Sequence, residues 1–281
     1  MFRILQGDVG SGKTIVSFVG AANAIRSNYQ AVMMAPTGIL AKQHYDLAKK
    51  IFGSSDLRVE FLTGKTKSKD RKIIQNDLLN GKINFLIGTH AVFQKNIIFK
   101  KLGLAIIDEQ HKFGVRQRIE LSNKGGKECD ILLMSATPIP RTLVMAVYGD
   151  MDVSKLIEKP MNRKEIITLS KPEEKIDEIL LFVKKQIENG NQVFWVCPLI
   201  EESKKLDYSA AIKKFNSLSK KFFDKVGLIH GSLEKNKKDE VLLKFLNKKI
   251  DILVSTTVIE VGIDFPNANV IVIENSNQFG L

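Results

Sequence analysis

Two short stretches hold the residues best suited to chemistry. The first is Gly7-Asp8-Val9-Gly10-Ser11-Gly12-Lys13-Thr14, which fits G-x-x-x-x-G-K-[ST] at every constrained position. Glycines let the backbone take positive φ and turn several N–H groups toward one anion. A helix starting just after adds the positive end of its dipole. In such a loop Lys13 reaches the β- and γ-phosphates of a nucleotide, and the Thr14 hydroxyl holds Mg²⁺. The second stretch is Asp108-Glu109-Gln110-His111, directly after the apolar run 104–107. Asp108 there ends a buried strand and can orient water on Mg²⁺. Glu109 is placed to polarise the attacking water. Gln110 and His111 are candidate sensors of the γ-phosphate. An Asp-Glu pair alone is a weak signal, but a phosphate loop about 95 residues upstream makes it specific. The chemistry implied is Mg²⁺-assisted work on a nucleoside triphosphate such as ATP.

These residues need elements to hold them. Residues 2–5 read as the end of a buried strand, and Ile15, Val16, Val19, Ala22 and Ile25 recur at helical spacing after the loop. The strand at 31–35 stops at Pro36-Thr37-Gly38, before a helix carrying Leu40, Leu47 and Ile51. Strands at 57–62 and 83–87 end at Thr63-Gly64 and at Gly88-Thr89-His90. In an open parallel sheet such strand ends form the ligand-binding edge. Backbone N–H groups and threonine hydroxyls there suit the phosphate oxygens of a nucleic acid. The basic run Lys65 to Lys72 reads equally well as a solvated face. A strand at 130–134 runs into Ser135-Ala136-Thr137-Pro138. These hydroxyls either bond the acidic pair and relay nucleotide state, or merely close a turn.

Periodicity loosens between Gly149 and Arg163, so the domain junction is expected there, with lobes at 1–155 and 156–281. Strands at 166–169, 192–197, 226–229, 250–254 and 269–273 then alternate with helices at 176–187 and 201–218 and near 241–246. This predicts a second parallel α/β layer. His230-Gly231-Ser232 and the run Ser255-Thr256-Thr257 to Glu260-Val261-Gly262-Ile263-Asp264 fall at its strand ends. No second phosphate loop occurs.

At 281 residues the length favours two domains. The net charge of +12, mostly lysine, suits a polyanionic partner, although lysine-rich composition alone gives the same figure. No apolar run approaches the roughly 18 residues of a membrane span, so no membrane partner is expected. The phosphate loop begins too early to leave room for a signal peptide. Two cysteines, Cys129 and Cys197, give no metal spacing or disulfide framework. A cytoplasmic setting is expected.

Taken together, GDVGSGKT, IIDEQH, SATPIP and STTVIEVGID resemble the superfamily 2 helicases and translocases, in that family's order and at plausible spacing. DEQHKFGVRQR, MSATPIPRTL, CPLIEES and DFPNANVIVIENSNQFGL are similar to its RecG family of branched-DNA translocases. The resemblance implies an α/β fold of two RecA-like parallel-sheet lobes, of the P-loop NTPase type. It also implies ATP and Mg²⁺ as cofactors, and translocation on duplex DNA that remodels stalled forks and Holliday junctions.

Residue by residue, Gly10, Gly12, Lys13 and Thr14 match phosphate and Mg²⁺ ligands. Asp108 and Glu109 match the metal-orienting and water-activating acids. Ser135 and Thr137, with Ala136 between them, match the motif linking hydrolysis to DNA grip. Gly262 and Asp264 match a second-lobe nucleotide contact. Pro36, Thr37, Thr63, Gly64, Thr89, His90 and Thr256 are candidate DNA-backbone contacts. The motor of the transcription-repair coupling translocases is similar, but Gln110 and the PLIEES run favour RecG. A binding-only module and a small-metabolite kinase are the readings from other classes. The family's arginine-bearing segment would follow Leu281 and its wedge domain would precede Met1. The expectation is therefore a fragment with a truncated second lobe.

Overall fold

The computed structural model describes residues 1–108, 129–137, 151–158, 165–197, 207–256 and 263–279. It divides into two compact units, Met1–Lys164 and Glu165–Leu281.

The first unit is a seven-stranded sheet of order β3-β4-β2-β5-β6-β1-β7, with β1 Phe2–Gly7, β2 Gln30–Met34, β3 Val59–Leu62, β4 Phe85–Gly88, β5 Leu102–Ile107, β6 Asp130–Ser135 and β7 Asp152–Leu156. Each neighbouring pair is parallel. A parallel sheet puts every strand's C-terminal end on one edge. That edge therefore carries the phosphate loop after β1, Pro36-Thr37 after β2, Thr63 after β3, Thr89 after β4, Asp108 after β5 and Ser135 at the end of β6.

Burial on both faces explains the unbroken apolar strands. Residues Ala31, Val32, Met33 and Met34 are all buried. Alternate residues serve opposite layers. On one face Leu5, Ala31 and Met33 meet helices α1 (Lys13–Arg26) and α2 (Gly38–Phe52); on the other, Ile4, Val32 and Met34 meet α3 (Ser68–Leu79). Phe18 of α1 sits 5.7 Å edge-on to Phe85 and 6.0 Å from Phe52 of α2.

Several expectations from periodicity differ from this arrangement. Helix α1 buries Ser17, Phe18, Ala21 and Ile25, whereas Ile15, Val16 and Val19 are exposed. Phe18 has the larger apolar surface to remove from water, and it sets the rotation of the helix. For the same reason α2 turns Phe52 inward and leaves Ile51 exposed. The basic run after Thr63 leads into α3, whose Ile74 and Leu78 are buried. Strand β7 lies within the stretch read as a junction. It pairs with β1, and the Arg3 guanidinium donates to Asp152 (2.9 Å) and to Ser154 (2.7 Å).

The second unit holds α4 (Ile176–Glu188), β8 (Gln192–Val196), α5 (Asp207–Phe222), β9 (Val226–Ile229), α6 (Lys235–Leu246), β10 (Ile252–Ser255) and β11 (Ala268–Ile273). Its sheet order is β11-β8-β10-β9, all parallel. The strand expected at 166–169 is absent. Ile166, Ile167 and Leu169 stand exposed outside any helix or strand, because apolar β-formers make a strand only where a sheet edge receives them. The helix expected over 201–218 overlaps α5, which runs on to Phe222; 201–206 lie outside the described residues.

The two sheets share one winding. Strands β2, β3, β4 and β5 lie in spatial order β3-β4-β2-β5, and β8 to β11 lie in the order β9-β10-β8-β11. A common side-chain device accompanies it. The first residue of β2, Gln30, donates Nε2 to the carbonyls of Leu78 (3.0 Å) and Ile83 (2.8 Å). The first residue of β8, Gln192, donates Nε2 to Phe245 (2.7 Å) and Ile250 (2.6 Å). Each buried amide ties the end of the neighbouring strand's incoming helix to the start of that strand. The turn between helix and strand also recurs, at positive φ on Gly81 (75°) and on Lys248 (55°).

Candidate functional site

The phosphate loop is built as its glycines require. Gly10 and Gly12 stand at φ 81° and 92°, and Gly12 is the left-handed N-cap of α1. A side chain would be strained in that conformation, while the backbone is free to turn its N–H groups outward. The Lys13 ammonium donates to the carbonyls of Gly7 (2.6 Å) and Asp8 (2.9 Å), so the cation lies across the start of its own loop. The Val9 N–H donates to the Asp8 carboxylate (3.0 Å), and the Ser11 N–H to the Asp8 carbonyl (3.1 Å). Ser11 Oγ is buried with no hydrogen-bond partner among the described residues. A triphosphate fits this donor set: positive-φ glycines, a helix start, a lysine and an orphaned hydroxyl around one turn.

Asp108 follows β5 and is buried, with its backbone N–H donating to the Met34 carbonyl (2.9 Å). Strands β5 and β1 both pair with β6, so the carboxylate and the phosphate loop stand one strand apart on the same edge. His44 of α2 packs against Asp108, its Nε2 lying 2.7 Å from Oδ2, with both side chains under a tenth exposed. Glu109, Gln110, His111 and Gly262 lie outside the described residues. At the end of β6, buried Ser135 receives the Thr137 N–H (3.2 Å), and its hydroxyl bonds the Thr137 hydroxyl (3.1 Å) and carbonyl (3.0 Å). These bonds close a turn at the end of β6. Ala136 lies between them, half-buried.

The residues read as nucleic-acid contacts spread along the same edge. Thr37 caps α2, its hydroxyl accepting from the Leu40 N–H (3.3 Å), and Thr37 and Pro36 are both buried. The Thr63 hydroxyl accepts from the Lys65 N–H (3.2 Å), and the Arg71 guanidinium donates to the Thr63 carbonyl (2.8 Å). Gly64 and His90 are exposed, and Thr89 is half-buried. Gly88 cannot be replaced without moving β3, since a Cβ there would sit 1.8 Å from the Leu62 carbonyl oxygen. In the second unit, His230-Gly231 follows β9 as Thr63-Gly64 follows β3, and buried Thr256 follows β10 as Thr89 follows β4. Burial, helped by Lys238, lowers the His230 pKa. Asp264 is exposed. Burial raises the Cys129 thiol to about 11 and the Cys197 thiol to about 12, with Asp130 and Glu274 adding to the two shifts; both cysteines are free.

His44 escaped sequence reading. The signal was its position: it falls four residues after Leu40 and four before Ala48, on the buried stripe of α2. A polar side chain on such a stripe needs a polar partner.

The DEAD/DEAH box helicase description matches residues 3–146, and the Helicase conserved C-terminal domain matches 171–278. The chain belongs to the DEAD/DEAH box helicase family. Membership implies use of ATP. Within the superfamily, the chain is 49% identical to the ATP-dependent DNA helicases RecG of Thermotoga maritima and of Bacillus subtilis, over its whole length. It spans 36% and 41% of those two helicases. A solved structure of RecG bound to a three-way DNA junction aligns over 99% of the chain and 36% of RecG, at TM-score 0.84 and 46% identity. Dbp5 of S. cerevisiae, bound to RNA and ADP BeF3, aligns at TM-score 0.65 and 17% identity, covering 95% of the chain and 68% of Dbp5, and shares the fold. Among the described residues no helix is long and apolar enough to cross a membrane.

Proposed function

We propose that this chain carries the motor of an ATP-dependent DNA helicase that remodels branched DNA, such as stalled forks and Holliday junctions. The observation that carries the reading is the likeness to part of RecG along the whole of this chain, 49% in sequence and 0.84 in TM-score. The placement of the phosphate loop and Asp108 on one sheet edge supports it.

Lys13 and the backbone N–H groups of the loop would hold the triphosphate of ATP. Thr14 and Asp108 would hold Mg²⁺, which supplies charge neutralisation on the phosphates. Glu109, next along from Asp108, is assigned the water-activating role. Ser135, Ala136 and Thr137 are assigned the coupling of nucleotide state to DNA grip, and Gly262 and Asp264 the nucleotide contact of the second lobe. Pro36, Thr37, Thr63, Gly64, Thr89, His90 and Thr256 would meet the DNA backbone, which carries no sequence information. The lobes expected at 1–155 and 156–281 are assigned to the two compact units, Met1–Lys164 and Glu165–Leu281, since β7 through Leu156 belongs to the first sheet. A cytoplasmic setting is part of the same reading.

The test is ATP hydrolysis with a three-way DNA junction, with linear duplex of equal length, and without DNA. Stimulation strongest with the junction, and absent in Lys13→Ala, is the expected result. Hydrolysis indifferent to both DNA forms contradicts the reading.

A further inference from the structure

Asp108 is held by more than its own strand. Its carboxylate is buried, and Oδ2 faces the His44 ring nitrogen Nε2 at 2.7 Å. Two buried groups at that distance form a strong, directional contact. His44 itself has little freedom. It lies in the second turn of α2 between Leu40 and Ala48, both buried, and the helix is fixed at its start by the Thr37 cap. Sheet register adds a second restraint, since Asp108 N–H bonds Met34 at the end of β2, the strand that leads into α2. The carboxylate thus sits at the end of β5, and the imidazole on the helix that follows β2, the strand hydrogen-bonded to β5. A carboxylate with one oxygen committed to a fixed donor has a defined plane. A group that must orient a metal ion needs such definition.

We propose that His44 is a positioning residue for Asp108: the Nε2–H tautomer donates to Oδ2 and sets the carboxylate plane that Mg²⁺ meets. This rests on the reading of Asp108 as the metal-orienting acid. His44 contacts neither nucleotide nor metal in this role. Its effect passes through Asp108, so it changes how Mg²⁺ tightens nucleotide binding rather than how the phosphate loop grips.

The first measurement is on the wild-type chain. Imidazole ¹⁵N resonances report which ring nitrogen bears the proton. A proton on His44 Nε2 is expected, and an unprotonated Nε2 overturns the proposal. The second is a titration of a fluorescent ATP analogue against rising Mg²⁺ in wild type, His44→Leu and His44→Gln, each checked for a cooperative melt. His44→Leu, which fills the space without a donor, is expected to raise the Mg²⁺ needed for half-maximal tightening about tenfold or more. Affinity without Mg²⁺ should be unchanged. His44→Gln retains an Nε2 donor and is expected to restore most of the loss. Leu and Gln behaving alike, or a wild-type Mg²⁺ dependence in folded His44→Leu, removes His44 from the role while leaving the nucleotide site standing. A wild type with no Mg²⁺-dependent binding overturns the nucleotide reading itself.

Discussion

At the scale of single residues, the site depends on where backbone is allowed to go. Gly12 at φ 92° and Gly10 at 81° turn the loop, and Lys13 lies across its first carbonyls. Those positions were legible because the motif states a steric requirement, glycine where a side chain would be strained, before it states a chemical one. Gly88 works by proximity instead. A Cβ there would meet the Leu62 carbonyl oxygen at 1.8 Å, and neither strand can give way without breaking the ladder between β3 and β4. Gly88→Ala is therefore expected to lower stability by about 3 kcal/mol, the upper end for overpacking, in equilibrium denaturation. A loss under about 0.5 kcal/mol, the range of a surface change, contradicts it. Nothing in the sequence separates this glycine from an ordinary turn glycine, because the clash comes from a strand 26 residues away in the chain.

At the scale of elements, strands were easier to read than helix faces. The runs that became β2, β5 and β10 are almost wholly apolar, since both faces of a parallel sheet are covered, and their short length marks them as strands. Helix α1 misled because it offers two apolar stripes, and only tertiary packing around Phe18 decides between them. Strand β7 was hidden because its partner is β1, about 150 residues earlier in the chain. The segment 166–169 misled in the opposite sense, with strand-like composition and no strand. The glutamine ties were invisible for a related reason: a lone Gln opening an apolar run reads as a boundary. Gln192→Leu keeps the volume but strands the Phe245 and Ile250 carbonyls, a loss of about 2–4 kcal/mol if each costs 1–2. Trp195 is the single tryptophan and is fully buried in the same sheet, so its fluorescence reports the unfolding. A transition unmoved by Gln192→Leu contradicts the assignment.

At the scale of the molecule, two units of shared winding divide the expected labour, with the only phosphate loop in the first. In the second unit, His230 contributes a sensitivity to acid. Burial and Lys238 lower the His230 pKa below its ordinary value of 6.5. The folded state therefore binds the proton less readily than the unfolded chain, so this contribution to stability is whole above about pH 6.5 and is lost as pH falls through the folded value. Denaturation followed by Trp195 at about pH 8 and about pH 5.5 should show a drop that His230→Gln reduces. An equal drop in the variant assigns the acid sensitivity elsewhere.

The central claim, that the turn after β1 is a triphosphate site, is tested most directly by titrating Mg–ATP into the wild-type chain and Lys13→Ala. The wild type should bind saturably. The variant should lose about 1.5–3 kcal/mol, tenfold to a hundredfold in affinity, for one charge-assisted contact removed. Equal affinity in the two proteins, or no binding by the wild type, contradicts the account.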